Sequence, residues 1–137
     1  MEPQEYLTEM KGRLIASAVV ASVTVVEEYV LPDRGYFRAR LGLSNADFLE
    51  VAEYFVVEAG QCVPRRYRYQ WMDASQTVLK KRWDNVEHFP GLPHFPHHVH
   101  VGEESHVEPG RPLNILALLD MLEQELRSSH LREGESP

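Results

Sequence analysis

Six of the seven histidines fall between His88 and His106, and His94, His97, His98 and His100 lie within seven residues of one another. Imidazole titrates near neutral pH, passes protons in both directions and binds transition metals. The cluster is entered through Arg82-Trp83-Asp84-Asn85, which adds a guanidinium, a carboxylate and an amide just upstream. Three chemistries fit. In the first, two imidazoles flank a phosphodiester, one taking the proton from an RNA 2′-hydroxyl and the other returning one to the leaving oxygen. Arg82 then bears the phosphate charge and Asp84 orients an imidazole. His97, His98 and His100 are the acid–base candidates, and no cofactor is needed. In the second, His98 and His100 share one side of an extended segment and, with His94 or His97 as a third ligand and Glu103 or Glu104 beyond, form a set that zinc or manganese would accept. In the third, Phe89, Phe95 and Trp83 pack the loop down while the histidines bond to backbone or to a protein partner. No glycine-rich phosphate loop, nucleophile elbow or motif around Cys62 points to another enzyme class.

Charge distribution bears on the partner. The chain carries a net charge of −7, which argues against a nucleic-acid ligand. Residues 64–82, however, hold Arg65, Arg66, Arg68, Lys80, Lys81 and Arg82 against the single acid Asp73. A basic stripe on an acidic body can bind phosphate locally, and it can equally be a solvated sheet face. Arg66, Arg68 and Lys80 are therefore substrate-binding candidates, and Tyr67, Tyr69, Trp71 and Trp83 are candidates to stack on bases.

The elements that must position these groups follow from periodicity. Leu7, Met10, Leu14, Ile15 and Ala18 predict a helix from Pro3, which is tolerated in a first turn. Val19 to Val30 is dense in β-branched residues and predicts a strand. Tyr36 to Leu43 alternates Phe37, Ala39, Leu41 and Leu43 with Tyr36, Arg38 and Arg40, the pattern of a half-buried antiparallel strand. Phe48 to Val57 fits a strand better than a helix, since Leu49, Val51 and Phe55 alternate with Glu50, Ala52 and Tyr54. Tyr67–Met72 and Thr77–Trp83, joined by a turn, make a hairpin. Residues 85–112 show no periodicity and contain five prolines, which forbid helix; such a long loop is uncommon unless functional or disordered. Leu113 to Leu126 predicts a second helix, and the residues from Arg127 a frayed tail. The expectation is one α+β domain over residues 1–137, an antiparallel meander of about five strands with a helix at each end.

Bulk properties fit a soluble globular protein: 137 residues, 43% hydrophobic and 26% charged. A lone cysteine gives no internal disulfide, and the longest run without charged residues or histidine, residues 14–26, is too short to span a bilayer as a helix. A cytoplasmic location with no membrane partner is expected; oligomeric state is not legible.

The strings Tyr67-Arg-Tyr-Gln-Trp-Met-Asp73, Arg82-Trp-Asp-Asn85 and Leu92-Pro-His-Phe-Pro-His-His-Val-His100 together resemble the TumE family of small toxin–antitoxin proteins. That family carries a Tyr-x-Tyr-His-Trp-x-Asp strand, then Arg-Trp-Asp-Asn-Ala-Pro-His-His, then Phe-Pro-His-His-x-His and a C-terminal helix. The likeness runs from about Ala18 to Leu126. Arg82, Trp83, Asp84, Asn85, His88, His97, His98 and His100 match, which adds Asn85 and His88 to the substrate-binding candidates. Gln70 stands where the family has histidine, and Val86-Glu87-His88-Phe89 replaces Ala-Pro-His-His. The resemblance implies a growth-inhibiting toxin with a helix-turn-helix antitoxin as partner. Action on RNA is inferred from the residues, the rivals being a non-enzymatic interaction module and a metal-binding protein.

Overall fold

A computed structural model describes the backbone of residues 1–135 and side-chain environments through residue 127. The chain runs α1 (Pro3–Ala16), β1 (Val20–Leu31), β2 (Arg34–Leu43), β3 (Phe48–Glu58), β4 (Gln61–Met72), β5 (Leu79–Asp84), β6 (His98–Val101), β7 (Val107–Pro109) and α2 (Ile115–Glu135). All the strands form one sheet in sequential order, each antiparallel to the next. The α+β meander with a helix at each end is as expected, but the sheet has seven strands rather than about five.

The two extra strands come from the segment read as an irregular loop. β6 and β7 are only four and three residues long, too short to show a period, and β7 ends on Pro109. Proline is admissible there because β7 is an edge strand. The hairpin before them begins earlier than expected, at Gln61, while its second strand starts later, at Leu79. Asp73 Oδ1 accepts from the backbone N–H groups of Thr77 and Val78, so the side-chain-bonded turn consumes the residues that periodicity gave to the strand. At the β3–β4 connection Ala59 and Gly60 both take positive φ, the two-residue turn whose twist matches the strands it joins. α2 continues past the expected tail to Glu135; residues 136–137 lie outside the described residues.

Strand alternation sorts the side chains onto two faces. Phe37, Ala39, Leu41, Leu43, Leu49, Val51, Phe55, Tyr67, Tyr69, Trp71 and Trp83 are buried together with Tyr6, Leu7, Met10 and Leu14 of α1 and Ile115, Leu118, Leu119 and Leu122 of α2. Both helices therefore cover one face. The opposite face carries Tyr36, Arg38, Arg40, Glu50, Ala52, Tyr54, Arg66, Arg68, Gln70, Arg82, Asp84, His98 and His100, aligned by the strand register.

One acid sits within the apolar face. Glu53 is fully buried, and its carboxylate accepts from Tyr6 Oη at 2.5 Å, Tyr69 Oη at 2.5 Å and the backbone N–H of Ile115 at 3.0 Å. Burial pushes the carboxyl up, and the donors from Tyr6, Tyr69 and Ile115 pull against it; the net direction is up. The carboxylate also lies at the first turn of α2, where negative charge is favourable. Asn114 caps the same turn by accepting from the N–H of Ala117 at 2.8 Å.

Replacing Glu53 with Ala strands the Tyr6 hydroxyl and the Ile115 N–H in the core, Tyr69 keeping the Leu113 carbonyl, and should cost ~3 kcal/mol in denaturant unfolding. Glu53→Gln keeps the shape and isolates the charge. With the folded-state pKa raised, the wild-type advantage over Glu53→Gln is full below about pH 4.5 and is lost as pH rises through the folded value. A stability difference flat from pH 4 to pH 8 would contradict this.

Candidate functional site

β5 and β6 pair so that Asp84 lies opposite His98 and Arg82 opposite His100, with Trp83 and Val99 between them pointing into the core. Four functional side chains thus emerge together on the helix-free face. Asp84, His98 and His100 are nonetheless buried, at 3%, 2% and 5% exposure. His98 Nε2 lies 2.9 Å from Asp84 Oδ1, and His100 Nε2 lies 3.7 Å from Asp84 Oδ2. The other ring nitrogens face carbonyl oxygens, His98 Nδ1 that of Pro96 at 2.9 Å and His100 Nδ1 that of Glu104 at 2.8 Å. A carbonyl only accepts, so each Nδ1 carries the proton.

The carboxylate is held from two further sides. The backbone N–H of Val86 donates to Oδ1 at 3.1 Å, and Arg82 Nε donates to Oδ2 at 3.3 Å. Arg82 also makes a two-pronged pair with Glu104, one arm at 2.7 Å. That contact raises the guanidinium pKa and holds the Glu104 carboxyl below its usual range. The ring of Phe89 stands edge-on to His98 and His100, with centroids 5.3 and 6.2 Å away. Phe89 takes φ +59, unusual for a bulky residue.

His97 belongs to a different environment. Its ring stacks on Tyr67, and Nδ1 lies 2.8 Å from Tyr67 Oη. Burial, then the neighbouring charges of His94 and His98, lowers its pKa, and burial raises that of Tyr67. His97 borders a groove of about 1290 Å³ lined also by Tyr36, Tyr54, Arg65, Arg66, Arg68, Asn85 and Val86. Arg68 is the cross-strand neighbour of Asp84, so the groove adjoins the Asp84 cluster. Arg66 and Arg68 make no ion pair among the described residues, although acids outnumber bases by 21 to 14 in the chain.

Several sequence expectations change here. Tyr69, Trp71 and Trp83 cannot stack on bases, because the helices cover their face and bury them at 0%, 5% and 6% exposure. Tyr36 and Tyr54 lie on the open face instead, with Tyr29 stacked on Tyr36. Lys80 is turned to Asp47, with which it pairs, and lies 5.2 Å over the Trp71 ring. Asn85 has a positioning role, accepting from the N–H of Tyr67 at 3.0 Å and donating to the carbonyl of Arg65 at 2.9 Å. His88 is exposed beside Phe89. His94 is exposed on the loop; among the described residues the third group gathered with His98 and His100 is Asp84.

Comparison with known proteins agrees with the motif reading. A family model described as Toxin TumE matches residues 11–130. The chain belongs to the TumE toxin family. The match spans α1 to α2 and so includes every residue of the cluster and the groove. Neither a curated protein nor a solved structure matches the chain. No helix among the described residues is long and apolar enough to cross a membrane.

The Asp84–His98–His100 cluster depends on a close backbone approach. A Cβ on Gly110 would meet the N, Cα and C atoms of His98 at 3.0 to 3.2 Å. Gly110→Ala should therefore push β6 away, lower stability by about 1–3 kcal/mol and shift the His98 imidazole signals in NMR spectra. Gly91→Ala, where nothing lies within 4 Å, should leave those signals in place. Equal behaviour of the two variants would remove this constraint.

Proposed function

We propose that this TumE-family protein is a toxin that acts on RNA, as an endoribonuclease whose substrate lies along the helix-free face of the sheet. The observation that carries the reading is the groove in which Arg66 and Arg68, free of acidic partners among the described residues, stand with Tyr36 and Tyr54 beside the Asp84–His98–His100 cluster. Guanidinium groups supply phosphate contacts and exposed tyrosines supply faces on which unstacked bases lie. His97 borders the same groove and is the imidazole best placed to exchange a proton with a ligand there. His98 and His100, with Nδ1 held by carbonyls and Nε2 turned to Asp84, fix the inner wall of the site. The partner that neutralises the toxin is a helix-turn-helix antitoxin, and the acidic surface away from the groove suits a basic partner.

Arg82 remains the phosphate ligand on this reading, with Glu104 holding its place until substrate arrives. The Glu104 carboxylate grips the guanidinium in the two-pronged manner of a phosphate and is itself exposed. Binding then exchanges one anion for another. Glu104→Gln should tighten binding of a short single-stranded RNA several-fold, and unchanged or weaker binding would count against the exchange.

Expression without a partner should arrest growth with loss of intact RNA. Arrest with an undamaged RNA pool would sink the nuclease reading and leave an RNA-binding or protein-binding inhibitor. Arg66→Ala with Arg68→Ala should weaken RNA binding for all sequences. It should also reduce the slope of log K against log salt by about 1.4, at ~0.7 per lost single-strand phosphate contact.

A further inference from the structure

The distance between His98 and Asp84 poses a problem of charge. Nδ1 of His98 carries a proton, because its partner is the Pro96 carbonyl. In the neutral imidazole Nε2 is then a bare lone pair, and it faces a carboxylate oxygen 2.9 Å away. Two acceptors do not approach to hydrogen-bond distance inside a protein unless a positive species stands between them. That species is either a second proton on the ring or a metal ion. His100 repeats the arrangement, with Nδ1 on the Glu104 carbonyl and Nε2 turned to the other carboxylate oxygen, yet at 3.7 Å it is too far for a hydrogen bond. A proton on His98 alone leaves the orientation of His100 without a cause, whereas one ion shared by the three groups accounts for both rings.

We propose that Asp84, His98 and His100 form a binding site for one divalent transition-metal ion, of which zinc is the tightest-held member tested below. The three ligand atoms lie within 4.8 Å of one another and the residues are buried, so a small shift closes them on a common centre. The surroundings are those of a metal site. Each imidazole donates its distal N–H to a backbone carbonyl, the support that fixes the tautomer and ring plane of metal-binding histidines. Val86 N–H and Arg82 Nε orient the carboxylate. The Phe89 ring supplies an apolar cover. Charge is also suitable: Asp84 and Glu104 contribute −2 and Arg82 +1, so with neutral imidazoles the cluster presents −1 to a cation. Two nitrogens and one oxygen suit zinc ahead of manganese, and three protein ligands leave a coordination position open. A phosphate oxygen or water is the kind of ligand that would fill it. The site requires no particular target for the toxin, and it replaces the His94-containing set that sequence spacing suggests.

Metal binding can be read directly on the full chain, apart from any effect on RNA. After stripping with chelator, zinc or manganese is titrated by calorimetry, and bound metal is counted by mass spectrometry after desalting. One equivalent of zinc should be retained, manganese should bind more weakly, and the thermal midpoint should rise on loading. Asp84→Asn, His98→Gln and His100→Gln should each weaken zinc binding by more than about 10-fold. His88→Ala, His94→Ala and His106→Ala should bind as the wild type does. A second measurement needs no variant: with 15N-labelled histidine, zinc should move the Nε2 resonances of two imidazoles and leave their Nδ1–H signals in place. Absence of stoichiometric binding would overturn the proposal and identify the His98–Asp84 contact as an imidazolium ion pair. So would binding that follows the exposed histidines, or perturbation of other rings in the labelled protein.

Discussion

The buried carboxylate of Glu53 is the constraint from which the remaining geometry follows. A charge removed from water is tolerated only where donors replace the lost hydration, and the three donors here come from α1, β4 and the first turn of α2. Removing any of these elements would leave the others facing an unmatched carboxylate. The same region fixes the chain between β7 and α2. Tyr69 Oη also lies 3.0 Å from the Leu113 carbonyl, and Tyr67 Oη lies 3.4 Å from that of Arg111. Residues 111–115 are thereby tied to β4, and β7, immediately before them, is held where it can pair with β6. The short outer strands that carry His98 and His100 have little area of their own, so this anchoring from the core is what keeps them in register.

Period-two alternation then lets one pair of strands serve two purposes. Trp83 and Val99 are cross-strand partners pointing inward, and the outward positions on either side are Arg82, Asp84, His98 and His100. A slip of one residue would exchange the two sets, placing a tryptophan on the open face and a guanidinium in the core. The penalty for that exchange is large, so apolar packing sets the alignment of the polar cluster. Site residues carried on such strands are held more tightly than residues on loops. The Pro-rich segment between β5 and β6 adds the carbonyl of Pro96 and the ring of Phe89 from outside, closing over imidazoles whose positions the sheet has already determined.

Much of this was legible in the sequence, and the failures have physical reasons. Alternation in residues 36–43 and 67–72 sorted the faces correctly, and the density of histidine after Arg82 located the cluster. Alternation does not say which face a helix will cover. Tyr69, Trp71 and Trp83 have the composition of a stacking platform, but the two helices lie on them. Glu53 only interrupts an apolar series in the sequence, and a buried acid is visible only through partners 16 to 62 residues distant in the chain. β6 and β7 are not legible because seven residues divided between two strands carry no measurable period, and neighbouring prolines point to irregular backbone. The pairing of Asp84 with His98 and His100 needed the β5–β6 register, which no spacing encodes.

The departures from the family pattern take on a definite meaning once placed in the sheet. Gln70 lies opposite Arg82 on the neighbouring strand and accepts from Arg68 at 2.8 Å. An imidazole at this position would add a titratable neighbour to Arg82; the amide instead pins a groove arginine. Phe89 stands where the family string has its second adjacent histidine, and here an apolar ring rather than a further imidazole covers His98 and His100. Phenylalanine cannot donate, accept or ligate, so the polar set beneath it is closed at two imidazoles and one carboxylate. Both substitutions alter the rim and leave Asp84, His98, His100 and their carbonyl supports intact. The cost of burying those three groups is offset by the Val86 N–H, the Arg82 guanidinium and the Pro96 and Glu104 carbonyls, so the cluster keeps its geometry whatever stands at the rim.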